Sequence, residues 1–353
     1  MIRPILLLLL TLALLTAGEP PIDPAVQAAC RRGAEWLAAK CNADGMVSAG
    51  QGKQTATTAL AALALAGVGV VPTSPGAQGA AAGRMLTWLL DDKRCDANGF
   101  YGWPDGSAMY GHGIVSLYFG ELLGMGNDAA TDRRIRTRLD SAIAVILWSQ
   151  ARKNRDNRDQ FGGWRYAPNS ADSDLSATVW QLLALRAAKQ AGLPIDRKPI
   201  DDAVQYLQRC YRADRDAQGK PLQAVTACAY QPGQAPTYAM AAAGLLSFQV
   251  AGAYDMPEVA GSVAWLKTCE IKPGMPWFYY GTYYYSQGMH QAGGAYAEQA
   301  WKQTSDLLLP LQKEDGRWES GWEHEAAAGP VYCTAMAMLA LAVQHRYLPI
   351  YQR

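Results

Sequence analysis

The chain has 353 residues, with 32 Lys and Arg against 31 Asp and Glu, for a formal charge of +1. That balance excludes a surface built to steer nucleic acid or an anionic membrane. With 50% hydrophobic and only 18% charged residues the chain is not disordered, and its length allows one large core.

The N-terminus carries Arg3, an apolar run from Ile5 to Leu15, and then Thr16, Ala17 and Gly18. A helical membrane span needs about 20 apolar residues. This run is shorter and ends in small residues, so 1–18 read as a secretory signal peptide. The expectation is an exported protein, periplasmic or extracellular, with a single mature domain over 19–353. No Cys follows the small residues, which argues against a lipid anchor, and no transmembrane segment is expected after the leader.

From there the chain is written in repeats. "WLAAKCNADGMV" (36–47), "WLKTCEIKPGMPW" (265–277) and "DLLLPLQKEDGRW" (306–318) share one outline: an apolar pair closing a helix, a polar stretch, a turn Gly and, in two of them, a Trp. The helix-closing pairs are Trp36-Leu37, Trp88-Leu89, Leu147-Trp148, Tyr206-Leu207, Trp265-Leu266 and Leu307-Leu308. After each turn comes a second helix, predicted within 55–67, 110–124, 176–188, 237–252, 283–294 and 332–343. The six repeats run approximately over 25–70, 80–125, 133–193, 199–254, 256–294 and 295–345. The polar segment "ARKNRDNRDQ" (151–160) reads as a solvated loop inserted in repeat three.

The two helix types differ. First helices such as "AVQAACRRGAEWLAAK" carry one apolar stripe and one charged face, as a half-wet helix should. Second helices are apolar nearly all round and rich in Ala and Gly, which suits burial on every side with close backbone approach. Six buried helices, each paired with a solvent-facing one and with no polar end cap, predict an all-α fold closed into a ring, an (α/α)6 toroid whose inner helices line a central cavity. Seven Cys in an exported chain permit disulfides. Cys41 with Cys95, and Cys210 with Cys228, are the candidate pairs, and with seven Cys at least one must stay free or pair between chains.

Gln312-x3-Gly316-x-Trp318 resembles the core of the QW repeat of the squalene-cyclase and protein-prenyltransferase superfamily, and "GGW" (162–164) followed by "DLSATVWQLLALRAA" (174–188) is similar to its repeat pattern. The resemblance covers about 25–345 and also implies an α/α toroid. It does not carry the family's chemistry with it. The class II cyclases need a protonated Asp in a DxDD motif, in a dry cavity. In register with that motif Asp174 takes the first Asp, but Ser176 takes the acid and Ala177 the last Asp. Asp174 reads instead as a helix N-cap, with Ser176 and Thr178 just inside. The prenyltransferases hold zinc with Asp, Cys and His, and the His residues here (His112, His290, His324, His345) lack that spacing, as they lack the Cys-His-Gly element of lanthionine cyclases. No cofactor and no metal site are expected.

What remains is the lining. Aligning Thr58, Thr178 and Thr334 puts His112 at the same place in repeat two and Tyr284 near it in repeat five, with Tyr110, Tyr238, Tyr283 and Tyr332 around the rim. Aromatic faces with hydroxyl tips suit a small molecule, a glycan or a peptide. The sequence therefore predicts a ligand-binding or scaffold protein. The rival reading is a hydrolase, lyase or transferase on a carbohydrate or isoprenoid, with His112, Asp172 and Asp174 as candidate catalytic groups.

Overall fold

A computed structural model describes residues 22–47, 52–152 and 158–352. The predicted leader and the middle of the 151–160 segment lie outside the described residues. Among these residues the chain is helical, with only isolated β-bridges between turns. The first helix of each repeat is α1 (Pro24–Ala39), α3 (Gly76–Leu89), α5 (Ala129–Ala151), α7 (Arg197–Cys210), α9 (Pro257–Leu266) and α11 (Gly294–Leu308). The second is α2 (Gln54–Gly67), α4 (Ala108–Leu122), α6 (Leu175–Gln190), α8 (Tyr238–Val250), α10 (Phe278–Ala292) and α13 (Pro330–Ala342), with a short α12 (Glu323–Ala328) before the last.

Composition sorts the helices into two layers. On α7 the buried residues Ala203, Tyr206, Leu207 and Cys210 form one stripe at helical spacing, so this helix can bury only that face. All of α8 from Tyr238 to Val250 is buried, which only an inner position allows. The inner helices pack in order, α2 on α4, α4 on α6, α6 on α8, α8 on α10 and α10 on α13, and α13 then packs on α2. The last repeat therefore lies against the first, and the ring is closed. Each outer helix rests on the inner helix of the repeat before it: α3 on α2, α5 on α4, α7 on α6, and α1 on α13.

The repeated turn locks neighbouring repeats together. Gly316 has φ +94°, and a Cβ there would lie 2.5 Å from the Arg32 carbonyl oxygen on α1. Gly162 has φ +93°, and its Cβ would meet the Asp202 carbonyl oxygen on α7 at 2.1 Å. Only glycine meets both demands, a left-handed backbone and a bare approach to the next helix. The Gln before each of these two turns spans the same joint. Gln312 Nε2 donates to Ala29 O (2.8 Å) and Gly316 O (2.9 Å), as Gln150 Nε2 does to Pro199 O (2.9 Å) and Gly162 O (2.7 Å). Trp164 and Trp318 are fully buried, each indole N–H donating to a carbonyl of the preceding helix, Ile146 and Leu308, at 2.8 Å.

Aromatic side chains meet across the axis of the ring. Trp180 on α6 stacks on Tyr283 (6.1 Å) and meets Tyr284 edge-on (5.9 Å), both on α10, although α8 stands between those helices in the ring. These contacts cross the axis, and all three residues are buried. Aromatic bulk thus occupies the space where small inner side chains alone would have left the expected central cavity. Two surface cavities lie off the axis, the larger of the two, of about 650 Å³, beside Gln205, Gln208, Arg209 and Arg215. At the far end, where the inner helices finish, the 3-10 turn Pro349–Tyr351 is held by the ring. Ile350 N donates to Glu121 on α4 (3.0 Å), and Ile350 O accepts from Gln287 (3.1 Å) and Gln291 (3.3 Å) on α10.

Candidate functional site

The mouth of the ring is the end where the inner helices begin, and two polar–aromatic clusters occupy it. The first is built on the start of α6. Asp174 is its N-cap, with extended backbone, accepting from Ala177 N at 2.8 Å and Ser176 Oγ at 2.5 Å through Oδ1. Its Oδ2 pairs with Arg165 Nη1 at 2.9 Å. Arg165 also reaches Asp172 through Nε (3.3 Å) and the Tyr230 hydroxyl through Nη1 (2.8 Å), and its guanidinium lies 4.5 Å from the Tyr166 ring centre. The Tyr166 and Tyr230 hydroxyls share a hydrogen bond, Tyr110 stacks on Tyr166 at 5.7 Å, and the Tyr110 hydroxyl bonds Ser176 Oγ. Burial pushes the Asp174 carboxyl above its ordinary range, opposed by Ser176, the Ala177 amide and Arg165.

The second cluster faces it across Ser176. The Tyr280 hydroxyl donates to Ser176 O at 3.1 Å, and the Tyr280 ring lies 5.9 Å from that of Trp277, the N-cap of α10. Trp277 has left-handed φ (+57°), as do Lys53 and Ala108 at the starts of α2 and α4, so this is how several inner helices begin. The Trp277 indole lies parallel to His324 (5.6 Å, 6°) and meets Trp322 edge-on at 4.8 Å, while Trp322 and His324 are 5.0 Å apart. Beneath them Glu325 is buried, accepting from Tyr280 N (3.1 Å) and Ser320 Oγ (3.3 Å), and burial raises its carboxyl too.

The sequence candidates separate accordingly. Asp172 and Asp174 converge on Arg165 at the mouth, where Tyr110 and Tyr332 are half-buried. Tyr283 and Tyr284 belong to the packed axis, and Tyr238, also buried, donates to Thr282 Oγ1 at 3.3 Å.

His112 and Thr178 do not line a cavity. Thr178 Oγ1 accepts the Trp164 amide at 3.0 Å, Thr58 the Val47 amide at 3.0 Å, and Thr334 the Trp318 amide at 2.9 Å. In repeat two His112 takes the same part, its Nδ1 accepting the Tyr101 amide at 3.2 Å. Each amide is two residues beyond a turn Gly. With Nδ1 an acceptor, Nε2 carries the proton and donates to Ala142 O at 3.0 Å. The ring is completely buried and neutral, burial bringing its pKa down to about 4. This histidine is a turn staple, and it cannot exchange protons with a ligand at the mouth.

The candidate disulfides are corrected as well: Cys41, Cys95, Cys210 and Cys228 are all free thiols. Cys41 donates to Ala81 O (3.7 Å), while Cys95 sits against Arg138 Nη1 (3.3 Å). Cys210 and Cys228 are on facing segments, where Tyr211 bridges Cys228, but Cys228 Sγ turns to Leu207 O at 3.8 Å. Among the described residues no three His, Cys, Asp or Glu converge in a way that could hold a metal ion.

Arg165, Tyr166, Tyr230, Trp322 and His324 were not among the sequence candidates. Arg165 had a signal, since a carboxylate capping a buried helix needs a counter-charge and Arg165 follows the motif Trp directly. The joining of Trp277 to "GWEH" had none, because the segments are 45 residues apart in the chain.

No protein-family model and no curated protein matches this chain. Among solved structures it is similar to ent-copalyl diphosphate synthase from Streptomyces platensis, at 14% identity over 92% of this chain and 95% of that one, with a TM-score of 0.33. A likeness this loose carries no argument about chemistry. No described helix is long and apolar enough to cross a membrane.

Proposed function

We propose that this chain is an exported ligand-binding or scaffold protein, an α/α toroid resembling the squalene-cyclase and prenyltransferase repeat proteins but without their acid or zinc chemistry, and that it binds at the mouth of the ring. The observation that carries this is the state of the two buried carboxylates there. Asp174 gives Oδ1 to the first turn of α6 and Oδ2 to Arg165, and Glu325 receives the Tyr280 amide at the start of α10. An acid catalyst must aim its proton at a reacting atom, whereas each of these carboxylates has one oxygen on a helix N-terminus and the other on Arg165 or Ser320. The aromatic packing of Trp180 against Tyr283 and Tyr284 across the axis supports the same reading, because a chain-folding reaction needs an enclosed volume for its substrate.

The competing enzyme reading loses its base when His112 is assigned to the turn. Asp172 is half-exposed but paired with Arg165. The test is a thermal-shift screen of purified protein against neutral oligosaccharides, isoprenoid diphosphates and peptides, repeated with Tyr166→Ala. The reading expects one class to raise Tm and Tyr166→Ala to diminish that shift. A shift untouched by substitutions at the mouth, or stoichiometric zinc in the purified protein, contradicts it.

A further inference from the structure

We propose that the Trp277–Trp322–His324 cluster is a stacking platform for a neutral oligosaccharide, with Asp172, Arg165 and Tyr166 across the mouth as its polar contacts. This deepens the binding reading above and rests on it.

Three observations lead to that ligand. The first is the platform. Two chain segments bring three rings within 4.8–5.6 Å of one another, each ring in contact with the other two. Mutual contact fixes their orientation before any ligand arrives, so little side-chain freedom is lost on binding. Trp277 is nonetheless 42% exposed. A rigid, wet indole offers a flat apolar surface of the size of a pyranose ring's C–H face, and aromatic side chains with a polar edge are suited to ligands that are apolar on one side and wet on the other.

The second is what stands opposite. Ser176 is touched from one side by Tyr110 and from the other by Tyr280, which leads directly to Trp277. Beyond Tyr110 lie the exposed Tyr166 and the half-exposed Asp172, both fixed by Arg165. One edge of the mouth is therefore aromatic, and the other offers a carboxylate, a guanidinium and phenols, the groups that bond hydroxyls in both directions.

The third is charge. Arg165 is neutralised by Asp172 and Asp174, so the guanidinium opposite the platform is already matched by carboxylates and is a poor partner for a phosphate, sulfate or uronate. On the axis, Trp180, Tyr283 and Tyr284 pack against one another where an isoprenoid tail would have to lie. A neutral, hydroxyl-rich ligand with apolar faces fits both conditions.

The experiment is a glycan array of neutral and acidic oligosaccharides probed with the full mature protein, followed by Trp-fluorescence titration with the best neutral hit. The variants are Trp277→Ala, Trp322→Ala, Asp172→Asn and Trp148→Ala. Trp148 is an exposed indole on outer helix α5 and serves as the control. Loss of one stacking ring is expected to weaken binding about two- to tenfold, with an unchanged far-ultraviolet spectrum, while Trp148→Ala binds as wild type. Should Trp277→Ala prevent folding, Trp322→Ala and the array carry the test. Binding confined to acidic glycans, no glycan binding, or binding indifferent to both Trp277 and Trp322 overturns the proposal. A peptide bound at the mouth would overturn the glycan assignment alone, whereas chemical turnover of a hit would overturn the non-catalytic reading beneath it.

Discussion

Gln312 Nε2 donates to the Ala29 carbonyl at 2.8 Å across 283 residues of sequence. It is the bond that Gln150 makes to Pro199 within the ring, so the chain closes on itself with the device it uses between repeats three and four. That identity predicts the behaviour of the joint. Gly316→Ala must put a Cβ 2.5 Å from the Arg32 carbonyl oxygen at φ +94°. It should cost at least about 2 kcal/mol, more than the left-handed strain of 1–2 kcal/mol alone. Urea unfolding would measure it. An unchanged midpoint would mean that repeats six and one are not joined this way.

His112 performs the task that Thr58, Thr178 and Thr334 perform in their own repeats. His112→Thr should therefore be tolerated better than His112→Ala, which leaves the Tyr101 amide without an acceptor at a cost of about 1–3 kcal/mol. The pH dependence has a defined sign. The folded pKa, brought down to about 4 by burial, is below the ordinary 6.5, so the unfolded chain binds the extra proton between those values. The histidine's contribution is complete above pH 6.5 and lost as pH falls toward 4, a total of about 3 kcal/mol. His112→Thr should flatten that acid limb in a series of melts.

Glu121 behaves oppositely. Burial raises its pKa to about 8, against the Ile350 amide and Arg186, with Tyr283 and Tyr351 also facing it. Here the folded state keeps a proton that the unfolded chain releases above pH 4.5, so stability declines from pH 4.5 to 8 and levels off beyond. The size is roughly 3–5 kcal/mol. Glu121→Gln keeps an acceptor for the Ile350 amide and removes the titration. It should raise Tm at pH 8 more than at pH 5.

The thiols give a chemical test of the corrected disulfides. Cys30, Cys210, Cys228 and Cys333 are buried, and desolvation raises their pKa values, to about 12 for Cys30 and Cys210. A thiol kept from ionising reacts slowly. Maleimide should label Cys95 and Cys269 first in the native protein and all seven cysteines after denaturation without reductant. A pair missing from the denatured count would restore a disulfide.

Much of the architecture was legible in the sequence because two kinds of helix alternate, and a helix apolar on every side can only be internal. The same uniformity hid the site. On α4 and α6 nearly every face is apolar, so nothing in the pattern says whether His112 and Thr178 look toward the axis or toward their own turns. The structure turns them outward, because amides two residues past the turn glycines need acceptors. The filling of the axis was unreadable for a related reason. Trp180 could have covered a joint, as Trp164 and Trp318 do, and only closure of the ring brings it against Tyr283. The capping role of Asp174 was the most readable feature of the mouth, since a carboxylate before "LSATVW" has an obvious set of amides to satisfy.

The central claim is that the mouth binds without reacting, and product analysis tests it most directly. Purified protein would be incubated with squalene, geranylgeranyl diphosphate and neutral oligosaccharides, alongside Asp174→Asn, and the mixtures resolved by chromatography and mass spectrometry. The account predicts every substrate recovered intact from both proteins. A product formed by the wild type and absent with Asp174→Asn would contradict it.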